Sequence, residues 1–195
     1  MLGFLLVLGG YILGSIPFAY MVGRIYSGVD IRKIGDRNMG AANTYRQIGP
    51  IAGWTTFAAD IAKGATAVLI AQTFASPNIA LLVGFAAVVG HNWPVFVGFR
   101  GGRGAATTIG VLLVLLPQAM LILLSICAVP FLVTRNTMLG GAILFSPLWL
   151  VALLLGASGV FVGYSIALPC LVGATHFMKT RHLPEDIKRG AVYMR

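Results

Sequence analysis

The chain has 195 residues, 58% of them hydrophobic and only 10% charged, with a mean hydropathy of +0.90. Soluble domains are nearer a quarter charged, so this sequence cannot cover a water-facing surface and reads as one integral membrane domain, residues 1–195, with no room for a soluble one. Its net charge of +9 would suggest nucleic acid in a soluble protein, but membrane proteins collect Lys and Arg in cytoplasmic loops, so no nucleic acid is expected and an anionic substrate is the other use for the charge.

The first apolar stretch, 2–23, lacks a basic start and a small-residue cleavage site, and is read as a first span and not as a removed leader. A polar segment follows at 24–50. Further apolar stretches run over 51–75, 79–97, 105–116, 119–133, 139–155 and 160–177. A crossing takes about 20 residues, so 105–116 and 119–133 are short. One helix over 105–133, bent at Pro117, is the alternative.

Charge favours seven spans over six. With seven, the segments 24–50, 98–104 and 134–138 and the tail share one face. They hold Arg24, Arg32, Lys33, Arg37, Arg46, Arg100, Arg103, Arg135, Lys179, Arg181, Lys188, Arg189 and Arg195, which is 13 of the 14 Lys and Arg. Only Lys63 lies elsewhere, and the opposite connections at 76–78, 117–118 and 156–159 carry no charge. The expected fold is therefore all-α and polytopic, with seven transmembrane helices, the N terminus outside and the C terminus cytoplasmic.

Three connections on the basic face resemble one another. They are Gly35-Asp36-Arg37-Asn38-Met39-Gly40-Ala41-Ala42-Asn43-Thr44-Tyr45-Arg46, Phe99-Arg100-Gly101-Gly102-Arg103-Gly104-Ala105-Ala106-Thr107 and Thr134-Arg135-Asn136-Thr137-Met138-Leu139-Gly140-Gly141. Glycines let backbone N–H groups converge, and a helix N terminus adds partial positive charge, so such a loop binds phosphate or carboxylate. Arginine adds bidentate charge-assisted hydrogen bonds. Small residues also serve close helix packing in lipid, but the run Arg100 to Gly104 exceeds what packing needs. No Walker-type lysine motif is present, so nucleotide binding is not indicated.

Other polar residues read more plainly. Asp60 and Lys63 lie three apart on one helix face, a mutually neutralised pair within the second span. His91 in His91-Asn92-Trp93-Pro94 reads as a hydrogen-bonded interhelical residue. His176 and His182 have no metal-ligand spacing with Cys or carboxylate, and Cys127 and Cys170 read as small buried hydrophobes, so neither a metal nor a disulfide is expected. No Ser-His-Asp arrangement or H-x-x-x-x-D box is legible. His182 and Asp186 are four apart, but Pro184 between them argues against a shared helix.

These loops resemble the signature of the PlsY family, the bacterial integral-membrane acyl-phosphate:glycerol-3-phosphate acyltransferases. The resemblance covers essentially the whole chain, including Leu13-Gly14-Ser15-Ile16-Pro17-Phe18, Gly28-Val29-Asp30-Ile31-Arg32 and Asp60 with Lys63-Gly64. The family's G-S-G-N-x-G-A-T-N-x-x-R is matched by Gly35 to Arg46. Its G-H-x-x-P-x-F-x-x-F-K-G-G-K-G-x-A-T is matched by Gly90 to Thr107.

The resemblance implies a seven-span fold in the plasma membrane with the active site facing the cytoplasm. It implies acyl transfer from acyl phosphate to the 1-hydroxyl of glycerol-3-phosphate, giving lysophosphatidic acid, by a monomer in the bilayer. No acyl-CoA, cofactor, metal or acyl-enzyme is implied. Arg103 with Arg100, Gly101, Gly102, Gly104 and Thr107 would hold one phosphate. Asn38, Gly40, Asn43 and Arg46 would hold another, with Arg135 and Asp186 as further substrate contacts. Asp36, His182 or the donor's own phosphate is left as general base.

The chain departs from the pattern at telling places. Asp36 and Arg37 replace serine and glycine, and Arg100 and Arg103 replace both lysines. Met138 stands where a serine usually follows the third-loop arginine, and the tail motif H-R-x-N-I-x-R becomes the longer His182 to Arg189 with Asp186 for asparagine. Arginine at 103 suits a fixed phosphate clamp and not a proton carrier. Carboxylates at 36 and 186 require either re-pairing, by Arg37 or Arg46 at Asp36, or a changed acceptor. The rival classes are a transporter of a phosphorylated or carboxylated solute, which would want its binding groups near the midplane, and an inactive lipid-phosphate-binding homologue. A reporter fused at Arg195 is expected to be active in the cytoplasm, and activity only outside would contradict the assigned orientation.

Overall fold

The computed structural model describes residues 1–190, 192 and 193. Arg195 and the side chain of Arg189, both counted among the basic residues above, lie outside the described residues. The α-helices are α1 (Leu2–Gly14), α2 (Phe18–Ser27), α3 (Ala41–Ile48), α4 (Pro50–Phe74), α5 (Pro77–Asn92), α6 (Ala105–Leu115), α7 (Pro117–Thr134), α8 (Thr137–Phe145), α9 (Leu148–Leu154), α10 (Gly159–Thr180) and α11 (Glu185–Gly190). Among the described residues the one extended pairing is a bridge between Asn136 and Tyr193.

Proline marks the breaks, because it lacks an N–H and restricts the residue before it. Pro50, Pro77 and Pro117 stand in the first turns of α4, α5 and α7. The stretch 105–133 is thus two helices, broken between Leu115 and Pro117. The apolar stretches 2–23 and 139–155 are each broken as well, by Ser15-Ile16-Pro17 and Ser146-Pro147. Five units are long and apolar enough to cross a membrane: Leu2–Ser27, Pro77–Val97, Pro117–Thr134, Thr137–Leu154 and Gly159–Thr180. α4 has 25 residues, with Asp60 and Lys63 midway, and α6 has only 11.

Within a bilayer apolar side chains gain little by meeting one another, so helices associate where small residues let backbones approach. α1 lies along α5: a Cβ on Gly14 would run into the Ala87 backbone, and one on Gly90 into the Tyr11 carbonyl. α4 lies along α6 in the same way, with Gly64 against Thr107 and Gly110 against the Ile61 carbonyl. α6 is therefore almost wholly buried, and Val111 and Leu112 join Val68, Val83, Val88, Met120, Leu148 and Leu168 in the central core. Large apolar residues on the outer faces, such as Leu121, Val129, Leu132 and Leu154, are exposed, as lipid contact requires.

Replacing Gly110 by leucine forces α6 off α4, an overpacking cost of about 1–3 kcal/mol or more where backbone must move. Detergent-solubilised Gly110→Leu is expected to melt lower than wild type. Gly163→Ala, at a position with open space, is expected to melt like it.

Candidate active site

The close crossings accompany a meeting of the first loop, the second loop and the end of α10. The first loop, between α2 and α3, is tied down by Asp30. Its carboxylate accepts Arg32 Nε at 2.9 Å and Arg32 Nη2 at 2.8 Å, and these bonds hold it at a pKa of about 2. Arg32 also stacks over Tyr20 and donates to the Val97 carbonyl at 3.1 Å, joining the first loop to the second. Asn43, on α3 and fully buried, donates to the carbonyls of Ile31, Ile34 and Asn38 and accepts the Asp36 N–H. Its side chain therefore shapes the loop.

Asp36 is the centre of the arrangement, its side chain 1% exposed. Its Oδ2 accepts Arg103 Nη2 at 2.9 Å and Arg46 Nη2 at 3.3 Å, and its Oδ1 accepts the Asn38 N–H at 3.3 Å. One carboxylate thus joins the first loop, α3 and the second loop. Of the two neutralising arginines expected for it, Arg46 is there and Arg37 is exposed to solvent. Burial pulls the Arg46 guanidinium below its usual pKa. The Asp36 charge opposes that pull, and the Arg103 charge adds to it.

The second loop is held from α10. Lys179, at the last turn of α10, donates to the carbonyls of Asn92 at 2.9 Å, Gly101 at 2.8 Å and Gly102 at 2.6 Å. Gly102 N–H donates to the His91 carbonyl at 3.1 Å. A Cβ on Gly101 would collide with that carbonyl, and one on Gly102 with the His91 ring, so no larger residue fits at either. Beneath them Asp60 pairs with Lys63 at 2.8 Å and with His91 Nδ1 at 3.4 Å, while Lys63 reaches the Ile16 carbonyl at 2.9 Å. His91 is interhelical, as the sequence indicated, and it links this pair to the glycine loop.

Several buried polar atoms remain open among the described residues. They include Arg103 Nε, Asn38 Oδ1, Asn92 Oδ1 and Thr107 Oγ1. Buried polar groups are otherwise nearly always paired, so unpaired ones on the first loop (Asn38), the second loop (Arg103) and the adjoining ends of α5 and α6 (Asn92, Thr107) point to a polar ligand. Both helices that begin here, α3 and α6, are capped by glycine, Gly40 and Gly104, with no side-chain cap. Their first-turn N–H groups have no intrahelical acceptor and carry partial positive charge. Gly104 takes the left-handed conformation, φ +85°, that turns the loop into the helix.

The remaining sequence-selected residues lie apart. Arg100 is exposed, and Arg135 is exposed at the end of α7 with φ +52°. His182 is exposed, and its Nε2 accepts from Arg181 Nε at 2.8 Å. Asp186 is exposed in α11, which starts after Pro184, so the two share no helix. Among the described residues neither makes a hydrogen bond or ion pair with Asp36, Arg46 or Arg103. Lys179 was missed in the sequence, where it counts simply as a topological cation. The signal that could have found it is its spacing on α10: Thr175, His176 and Lys179 share one face, and Thr175 accepts from Asn92 at 3.1 Å.

Residues 4–189 match the family model described as glycerol-3-phosphate acyltransferase. Glycerol-3-phosphate acyltransferase 4 of Dehalococcoides mccartyi is 46% identical over 178 residues, spanning 91% of this chain and 96% of its own. The glycerol-3-phosphate acyltransferase of Halalkalibacterium halodurans is 41% identical over 169 residues, spanning 85% of this chain and 81% of its own. Among solved structures, PlsY, an integral membrane glycerol 3-phosphate acyltransferase crystallised in its glycerol 3-phosphate form, superposes with a TM-score of 0.85 at 28% identity, over 99% of this chain and 95% of that one.

Proposed function

The chain belongs to the glycerol-3-phosphate acyltransferase family, and from that premise we propose how this membrane acyltransferase of lipid synthesis works. The donor is acyl phosphate. The 1-hydroxyl oxygen of glycerol-3-phosphate attacks the acyl carbonyl carbon, the bond from that carbon to the phosphate oxygen breaks, and lysophosphatidic acid and inorganic phosphate leave. The reaction runs at the cytoplasmic face of the plasma membrane, where the basic loops gather.

Seven spans fit this reading: the five long apolar units with α4 and α6 between them. α4 is about 37 Å long at 1.5 Å per residue. α6 covers about 16 Å of a hydrocarbon core about 30 Å thick. The loop before α6 makes up part of the difference, since Gly101, Gly102 and Gly104 are buried below the surface.

The observation that carries the proposal is Arg103. Its Nη2 is anchored on Asp36, while its Nε is buried without a partner among the described residues beside the bare head of α6. A phosphate there would meet a guanidinium edge, first-turn N–H groups and Thr107 Oγ1. Arg46, Asn38 and the head of α3 form the facing half for the second phosphate. Holding both substrates in place and stabilising the oxyanion with fixed donors supplies rate without a nucleophilic side chain. Both Asp36 oxygens are already occupied by donors and His182 faces solvent, so the donor's phosphate is the base, taking the hydroxyl proton as it departs.

Arg103→Ala is expected to lower kcat/KM with acyl phosphate by roughly 10²-fold or more, the usual effect of deleting a transition-state donor. Arg103→Lys keeps the charge and loses about 1–3 kcal/mol of bidentate bonding. Acyl-CoA in the same assay is expected to give no product. Wild-type rates for Arg103→Ala would remove Arg103 from the site, and transfer from acyl-CoA alone would overturn the donor.

A further inference from the structure

Asp36 is a departure from the family's motif that the reaction as written does not need. Its carboxylate lies 1% exposed beside the arginines read as phosphate-binding groups. A buried carboxylate is tolerated only when paired and hydrogen-bonded. This one draws Nη2 of Arg46 and Nη2 of Arg103 onto a single oxygen. Two guanidinium groups converging on one anionic oxygen is the geometry in which a phosphate oxygen would bridge them. The carboxylate thus stands where such an anion would stand, and it reduces the local charge of the two arginines from +2 to +1.

A phosphate reaching Arg103 through the open Nε edge arrives within a few ångströms of a like charge, and one that bridges both arginines must displace Asp36. Either way its binding is weakened, and so is that of each phosphate that has to leave. We infer that Asp36 is a built-in counter-ion that competes with phosphate for Arg46 and Arg103, lowering the affinity for substrate and for released inorganic phosphate alike. This rests on the reading of those arginines as phosphate clamps. Its rival is that Asp36 serves as a brace, fixing the arginines so that phosphate binds better.

The test uses the purified full chain, palmitoyl phosphate as donor, varied glycerol-3-phosphate, and inorganic phosphate as inhibitor. Asp36→Ser and Asp36→Asn each remove the charge, and both should lower the KM for glycerol-3-phosphate and the inhibition constant of inorganic phosphate. The expected change is on the order of tenfold, the effect of deleting one like charge beside the bound anion. kcat should not rise in proportion, and Asp36→Glu should keep both constants close to wild type. Unchanged or raised constants in the folded neutral variants overturn the inference and favour the brace. If only Asp36→Glu folds, the inference is also overturned, because the carboxylate is then a requirement of the fold. Arg103→Ala measured alongside separates the two levels. If it alters neither constant, the clamp reading itself fails. If it weakens both while the neutral Asp36 variants strengthen neither, only the counter-ion inference fails.

Discussion

Buried charge has to be paired where it lies, and most of the site follows from how this chain does so. Asp36 holds Arg46 and Arg103 on one oxygen and so joins the first loop and α3 to the head of α6. Lys179 of α10 meets two carbonyls of the second loop and that of Asn92 at the end of α5. Asp60 and Lys63 neutralise each other, and His91, in contact with Asp60, abuts the glycines of the second loop. The partners of Arg46, Arg103 and Lys179 tie the first loop, the second loop and α10 together.

That convergence depends on backbones that approach without side chains between them. Gly14 and Gly90 bring α1 onto α5, and Gly64 and Gly110 bring α6 onto α4. In lipid, where burial of apolar groups gives little preference for one helix partner over another, these contacts set which loops become neighbours. The short α6 is a consequence. Packed among other helices, it begins at Gly104, and its N terminus, without a side-chain cap, lies beside buried polar atoms of Arg103 and Asn92. A helix N terminus so placed binds an anion more strongly than one in water, because less solvent screens it.

The family, the helical class and the two main loops were legible because glycine, arginine and asparagine occur there at the spacings of the family's motifs, although Gly101 and Gly102 prove to be required by close packing against His91 as well. Arg103, Asn38 and Arg46 could be named from the sequence for that reason, and the structure puts them against a common partner. Side-chain direction was not legible. Asn43 reads as a ligand by its motif, yet its amide is turned into its own loop. Lys179 looks like one more cation of the inner face, because its acceptors are carbonyls some 80 residues away in sequence, 77 in the case of Gly102. Asp36 was recognised as a departure, but that two arginines and not one answer it depends on the crossing of α4 and α6, which no local pattern encodes. The breaks at Ser15–Pro17 and Ser146–Pro147 were hidden by apolar neighbours on both sides.

The central claim is that phosphate is held between the head of α6 and the Asp36-linked arginines. A crystal structure of this chain grown with glycerol-3-phosphate tests it most directly. The account predicts a phosphate within hydrogen-bond distance of Arg103 or Arg46 and of first-turn N–H groups at α6 or α3, with Arg103 Nε or Asn38 Oδ1 no longer unpaired. A phosphate bound elsewhere, with Arg46 and Arg103 still paired with Asp36, would contradict it.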